Sequence, residues 1–262
     1  MTEDPRIDLQ VRERVAFVTI DRPEALNAID LPMRAALQAA WRRIATDPGI
    51  DAAVVTGAGD KAFSAGADLK NWPSGPQPFA SDWFGEGRDD SLTAGMEMDK
   101  PLVCAFNGLA FGGGLEIGLA CDIRLAARGA RFALPEVRVG AIPGSGGTQR
   151  LARLVGRSDA MLMLLSGEPI AAEEALRIGL VSKVLPLDEL ADAAAAIAHR
   201  IAANAPLAVR AAKRLVREGL DLPLAQGLAA ERTAWGLLRD TDDRREGRDA
   251  FAQKRPPVWR GR

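Results

Sequence analysis

The chain has no tyrosine and one histidine, His199, among its 262 residues. Without tyrosine there is no phenol for acid–base work. Without a second histidine there is no His-pair metal site, and a Ser-His-Asp hydrolase lacks its usual base. His199 lies in the amphipathic run Ile197–Ile201 beside Arg200, the pattern of a solvated helix position. Cysteine is nearly absent too. Cys104 and Cys121 both fall in apolar runs and supply neither a zinc set nor a disulfide framework. The net charge is −1, so a basic surface for nucleic acid is not expected. No apolar run reaches the roughly 20 residues of a membrane span. The opening MTEDPRIDL is acidic and polar, unlike a leader peptide, and the closing WRGR matches no address signal. A cytoplasmic protein is expected.

Several motifs are missing as well. Pro143 precedes Gly144-Ser145-Gly146, so this is not a nucleophile elbow. No phosphate-binding G-x-x-x-x-G-K-[ST] loop occurs, and the glycine clusters lack the G-x-G-x-x-G spacing of dinucleotide sites.

What is present is a series of short apolar strands alternating with helices. Ile7, Leu9 and Val11 alternate with polar residues, and Val15–Ile20 follows a charged turn, which predicts an antiparallel hairpin. Asp30 with Pro32 starts a helix over Leu31–Ile44. Ala52–Thr56, Leu102–Phe106, Ile123–Ala127, Arg131–Leu134 and Leu180–Leu185 read as strands. Helices are expected over 148–155, 158–165 and 171–178. Beyond Leu185 the pattern is helical throughout, over 187–203, 206–217, 222–238 and 242–254. The composition shift there divides the chain into an α/β core, 1–185, and an α-helical region, 186–262. Asn71–Gly95, with three prolines, Trp72, Trp83 and Phe84, is expected to be an irregular lid with a short helix near its end.

Chemistry points to three corners. Gly112-Gly113-Gly114 opens the helix that carries Glu116, where bare amides at a helix N-terminus favour negative charge. Lys61–Leu69, KAFSAGADL, is a second small-residue exit from a buried strand. Pro135-Glu136 precedes the third, PGSGG at 143–147. Each corner also suits plain packing, and each glutamate could pair with Arg124 or Arg138. If the two acids face one another instead, their charges compete, giving one acid and one base. The chemistry left is oxyanion stabilisation by amides with one or two carboxylates, which suits reactions alpha to a thioester carbonyl.

Across nearly its whole length the chain resembles the crotonase superfamily, specifically its enoyl-CoA hydratase branch. DRPEALNAI, KAFSAGADL, NGLAFGGGLEIGLACD, LPEVRVGAIPGSGGTQRLARLVG, LSGEPIAAEEALRIGLVSKV and EGRDAFAQKRPPVW carry the likeness in order. The resemblance implies a spiral of ββα units with a C-terminal helical region that assembles trimers, often paired into hexamers. It places the oxyanion hole at the amides of Ala67 and Gly113. Glu116 would activate water, Glu136 would exchange the α-carbon proton, and Gly144 would help hold the water. Ala25, Leu26, Ala65, Asp68, Leu69 and Lys70 match the region that cradles CoA, with Lys61, Lys70 and a neighbouring subunit's Lys254 as phosphate candidates. No metal and no cofactor beyond the CoA of the substrate are expected.

The expected reaction is syn hydration of a trans-2-enoyl-CoA to a 3-hydroxyacyl-CoA, in fatty-acid or related acyl-CoA degradation. A Δ3,Δ2-enoyl-CoA isomerase, which often needs only the Glu136 position, is the alternative among enzymes. A specialised hydratase for polar or aromatic acyl groups is equally compatible, whereas the lack of tyrosine disfavours feruloyl-type chemistry. A non-catalytic acyl-CoA-binding or RNA-binding relative is the alternative of another class.

Overall fold

The computed structural model describes residues 4–71 and 91–262. Most of the lid expected over 71–95 therefore lies outside the described residues.

β1 (Ile7–Arg12) and β2 (Val15–Ile20) form the expected antiparallel hairpin, turning through Glu13 and Arg14 at φ 47° and 67°. Positive φ at both turn residues matches the twist of the flanking strands. β2 then pairs in parallel with β3 (Ala52–Gly57), β3 with β5 (Leu102–Phe106), β5 with β7 (Ile123–Ala127), and β7 with β10 (Lys183–Leu185). The result is a six-stranded sheet in the order β1-β2-β3-β5-β7-β10. β3 and β5 read as near-continuous apolar runs, and β7 does so apart from the buried Arg124, because both faces of this sheet are covered.

The strands skipped in that order make a second sheet. β4 (Ala62–Ser64), β6 (Leu109–Phe111), β8 (Arg131–Ala133) and β9 (Ile170–Ala171) line up in that sequence, parallel through β8. The chain thus lays one strand in the large sheet, the next in the small one, and then a helix. α2 (Gly113–Ala120) follows β6, and α3 (Gly147–Leu154) follows β8 through a short 3-10 turn, Glu136–Val139. This is the ββα spiral expected from the resemblance.

α1 (Leu31–Thr46) begins where predicted, with the Asp30 carboxylate accepting from Met33 N at 3.0 Å. Its buried face, Met33, Leu37, Trp41 and Ile44, joins a core that includes Phe63, Phe106 and Phe132. These three rings meet edge-to-face, with centroids 5.0 Å apart in each pair. They pack behind the small sheet and hold it against the large one. The Phe106 ring lies against Gly118 and leaves no room for a methyl there, which explains the small residue in α2.

On the opposite face of the large sheet, Leu190, Ala194 and Ala198 of α6 (Leu187–Ala202) close over Val54, Val103 and Leu125. The composition shift at Leu185 marks the end of β10, but the first helix after it still completes the core of the sheet. His199, on α6, is partly exposed and lies 3.9 Å from Glu13. Cys104 and Cys121 are buried and form no disulfide, and burial pushes the Cys104 thiol up. α4 (Arg157–Ser166) and α5 (Ala172–Arg177) flank the small sheet. α7 (Pro206–Gly219), α8 (Leu224–Arg239) and α9 (Asp242–Gln253) extend beyond it. α8 buries no residue, and Leu220, Leu224, Trp235, Leu237 and Phe251 of this region stand exposed.

Candidate active site

Three neighbouring strands of the small sheet each empty into one corner of the site. β4 leads into Ala65–Asp68, β6 into Gly112–Glu116, and β8 into Pro135–Val139.

The first corner is fixed by buried polar side chains. Asn27, fully buried at φ 55°, donates from Nδ2 to Ala58 O at 3.0 Å and Ala62 O at 2.7 Å, and accepts from Arg22 N at 2.9 Å. Ser64 Oγ donates to Asn27 O at 2.8 Å and accepts from Gly66 N at 3.1 Å. Asn107 donates to Gly59 O and Ala62 O at 2.9 and 3.0 Å. The backbone of the corner pairs with its neighbours through Ala65 N to Leu26 O and Asp68 N to Ile29 O, both 2.9 Å. The amide of Ala67 is left without an acceptor among the described hydrogen bonds.

The second corner touches the first through Gly66. At φ +87° a side chain there would be strained, and a Cβ would lie 2.8 Å from Phe111 O and 2.9 Å from Gly113 N. Glycine therefore lets the two backbones meet. Gly113 is the first residue of α2, where an amide has no intrahelical acceptor, and none is described for it. The Ala67 and Gly113 corners are thus brought side by side, each with an amide to offer.

Glu116, only 3% exposed, directs its carboxylate toward the start of α3. Its Oε1 accepts from Ser145 N at 2.6 Å and Gly147 N at 2.8 Å. Burial raises its pKa, against the opposing pull of these two amides and of Arg150. Glu136 opens the third corner. A Cβ on Gly112 would sit 3.0 Å from its Oε1, so the carboxylate rests on the glycine backbone next to Gly113. Its Oε2 is buried with no hydrogen-bond partner among the described residues. Burial raises this pKa too, and the charge of Glu116 raises it further. Glu136 therefore lies within reach of the Glu116 charge. Neither is paired as the packing alternative would have it. Arg124 donates to Leu180 O at 2.8 Å and Cys121 O at 2.6 Å, while Arg138 binds Glu168 and Ser166 O.

The other sequence candidates fall in three places. Gly144 is exposed and adjoins Ser145, whose amide holds Glu116. Ala25 ends a short 3-10 turn, and Leu26, at φ 53° and 40% exposed, runs beside Ala65. A cavity of about 290 Å³ opens there, lined by Pro23, Leu26, Gly59 and Lys61 among others. Leu69 and Lys70 are exposed, whereas the Asp68 carboxylate is taken up internally. It accepts from Asn71 Nδ2 at 2.7 Å, Arg22 Nη1 at 2.8 Å and Lys70 N at 3.2 Å, and these bonds hold its pKa down to about 2. Lys254 follows α9 at φ 53° and does not line that cavity.

Asn27, Asn107, Ser64 and Ser145 also shape the site, beyond the residues the sequence points to. The visible signal was Asn107-Gly108 at a strand end, which reads equally as an ordinary turn.

The family model described as enoyl-CoA hydratase/isomerase matches residues 10–262. The chain is 47% identical to the (E)-benzylidenesuccinyl-CoA hydratase of Thauera aromatica, over 97% of this chain and 99% of that one. It is 41% identical to the carnitinyl-CoA dehydratase of Salmonella paratyphi A, over 94% of each. The crystal structure of an enoyl-CoA hydratase from Bacillus anthracis superposes with a TM-score of 0.88 at 35% identity, covering 98% of this chain and all of that one.

Proposed function

Because the chain belongs to the enoyl-CoA hydratase/isomerase family, as a hydro-lyase acting on a CoA thioester, we propose that it adds water syn across a trans-2-enoyl-CoA to give a 3-hydroxyacyl-CoA. The observation that carries this is the pair of glutamates, Glu116 buried and Glu136 partly buried, beside two adjacent corners whose amides have no acceptor among the described residues.

In this mechanism the thioester oxygen accepts from Ala67 N and Gly113 N. Water lies between Glu116 and Glu136, within reach of the Gly144 main chain. Glu116, ionised and held by two amides, takes a proton from the water as its oxygen bonds to the β-carbon. Electrons move onto the thioester oxygen, where the two N–H groups meet the developing enolate charge. Glu136 enters carrying the proton and delivers it to the α-carbon, restoring the thioester; burial and the Glu116 charge both disfavour its anion. The reverse sequence removes water. CoA enters with the substrate, along Ala25, Leu26, Ala65, Leu69 and Lys70, and no further cofactor takes part.

Isomerisation of a 3-enoyl-CoA needs one carboxylate to shuttle a proton. The anchoring of Glu116 by Ser145 and Gly147 favours hydration, since an isomerase has no use for a second fixed acid. The names of the two relatives favour substituted acyl groups, polar or aromatic, alongside linear fatty acyl chains. We also propose a cytoplasmic homotrimer, or a hexamer of two trimers, because the exposed apolar residues of α8 and its neighbours suit burial against another copy. Among the described residues no helix is long and apolar enough to cross a membrane.

The test is a turnover screen of short, long, branched, polar and aromatic 2-enoyl-CoA esters, with 3-enoyl-CoA esters assayed separately. Loss of enone absorbance with the 2-enoyl esters is expected. Turnover of the 3-enoyl esters alone would reassign the chain as an isomerase, and tight binding without turnover would make it a binding protein.

A further inference from the structure

Ser145 sits where two parts of the site meet. Its amide donates to Glu116 Oε1 at 2.6 Å. Its hydroxyl accepts from Leu92 N at 3.0 Å, and its carbonyl accepts from Thr93 Oγ1 at 3.0 Å and Arg150 Nη1 at 2.8 Å. Leu92, Thr93, Ser145 and Glu116 are all buried. Leu92 in turn packs Cδ1 directly against Gly113, in the space a Cβ would need. One residue therefore binds the water-side acid with its main-chain N–H. With its other polar groups it binds the turn whose leucine covers the oxyanion corner.

We propose that Ser145 is a positioning residue: its hydroxyl and carbonyl clamp the 91–94 turn so that the amide holding Glu116 and the leucine backing Gly113 keep one fixed spacing. Nothing in the hydration chemistry requires a hydroxyl at this position, since the amide that binds Glu116 would be present with any residue. The hydroxyl has a separate partner, Leu92 N, which is buried and has no other acceptor described. Removing it frees the turn and slackens the loop that carries the amide. The hydrogen bonds from Ser145 and Gly147 oppose the effect of burial on Glu116, so a slackened loop makes its carboxylate harder to ionise.

This inference rests on the role proposed for Glu116, and its test is read without turnover. Glutamate carboxyls are labelled with carbon-13, and the Glu116 resonance, assigned by its loss in Glu116→Gln, is titrated in the resting protein. Ser145→Ala is expected to move that titration to higher pH. Thr93→Val, which keeps shape and removes the donor, should move it in the same direction, and Thr93→Ser should restore most of what Thr93→Val loses. If turnover is found, kcat should fall about tenfold in Ser145→Ala with KM little changed, because a small misplacement of an acid acts on the chemical step. The two effects should be less than additive in the double variant, as expected for one unit. An unmoved Glu116 titration in both Ser145→Ala and Thr93→Val would overturn the proposal, whatever their melting temperatures. Should Ser145→Ala not fold, the Thr93 pair decides alone. Absence of any hydratase activity would refute the function proposed above and leave this titration to stand or fall by itself.

Discussion

Gly66→Ala separates backbone strain from the chemistry of the anion corner. Gly66 lies at φ +87°, and a methyl there would stand 2.8 Å from Phe111 O and 2.9 Å from Gly113 N. Both neighbours are main chain, so no side-chain rotation relieves the clash. Reaching ordinary contact, 3.4 Å or more, requires the two corners to part by about 0.5 Å. A donor in an oxyanion hole works at roughly 2.7–3.1 Å from the charge it stabilises. Moving Gly113 N about 0.5 Å away takes it to the limit of hydrogen bonding, equivalent to losing one donor. The expected fall in kcat is therefore on the order of 10²–10³-fold, about 3–4 kcal/mol. Strain at positive φ adds roughly 1–2 kcal/mol of destabilisation, which for a chain of this length lowers Tm by about 2–8 °C. Gly179→Ala is the control: φ is +79°, with nothing within 4 Å of a Cβ. It should lose comparable stability and keep its turnover. The assay is enone absorbance at saturating and limiting substrate, with thermal melts of both variants. Gly66→Ala with turnover equal to Gly179→Ala would refute the pairing of the Ala67 and Gly113 corners around one oxygen.

Other outcomes follow from the same geometry. Glu116→Gln and Glu136→Gln should each lower kcat by about 10²–10⁴-fold while CoA-ester binding measured by calorimetry persists; near-normal turnover in either removes that acid from the mechanism. Both carboxylates have folded-state pKa values raised by burial, so the folded state holds more protons than the unfolded state between the unfolded pKa, roughly 4.3, and the raised folded values. Stability contributed by these groups falls as pH rises through that window and levels off above it. Glu136→Gln should accordingly gain stability over the parent at pH 8 but not at pH 4; a gain independent of pH would contradict the titration. Asn27→Ala strands the Ala58 carbonyl and the Arg22 N–H, while Ala62 O keeps its bond from Asn107, at a cost of about 3 kcal/mol. A Tm drop of about 10 °C is expected, and a loss under about 2 °C would show that water replaces the side chain.

Much of the architecture was legible because its signals are local. Asp30 and Pro32 mark the start of α1, apolar runs mark the central strands, and the helices after Leu185 carry clear periodicity. The glutamates were legible because an acid amid Leu115 and Ile117, or between Leu134 and Val137, needs a reason to be there. What could not be read is long-range. β4, β6 and β8 have three residues each, too few to show a period, and nothing local says that they leave the large sheet for a second one. α6 looks like the first of the C-terminal helices, yet its alanine face, Ala194 and Ala198, matches a sheet surface that only the folded chain presents. Asn27 was one polar residue in a loop, and its role depends on carbonyls at Ala58 and Ala62 about thirty residues away. The approach of Glu136 to the Gly112 backbone likewise depended on β6 and β8 being neighbours.

The small sheet has a consequence for how such a site can change. Its parallel strands are successive rungs, roughly 4.8 Å apart, and their exits lead in turn to Ala67, Gly113 and Glu136. In the proposed mechanism the rungs whose exits hold the acyl oxygen are separate from the rung whose exit bears the proton-transferring acid, and Glu116 reaches in from a helix. A substitution on the third rung can therefore redirect the fate of the enolate while its cradle stays intact. One scaffold can in this way acquire a new reaction by altering a single side chain at a time.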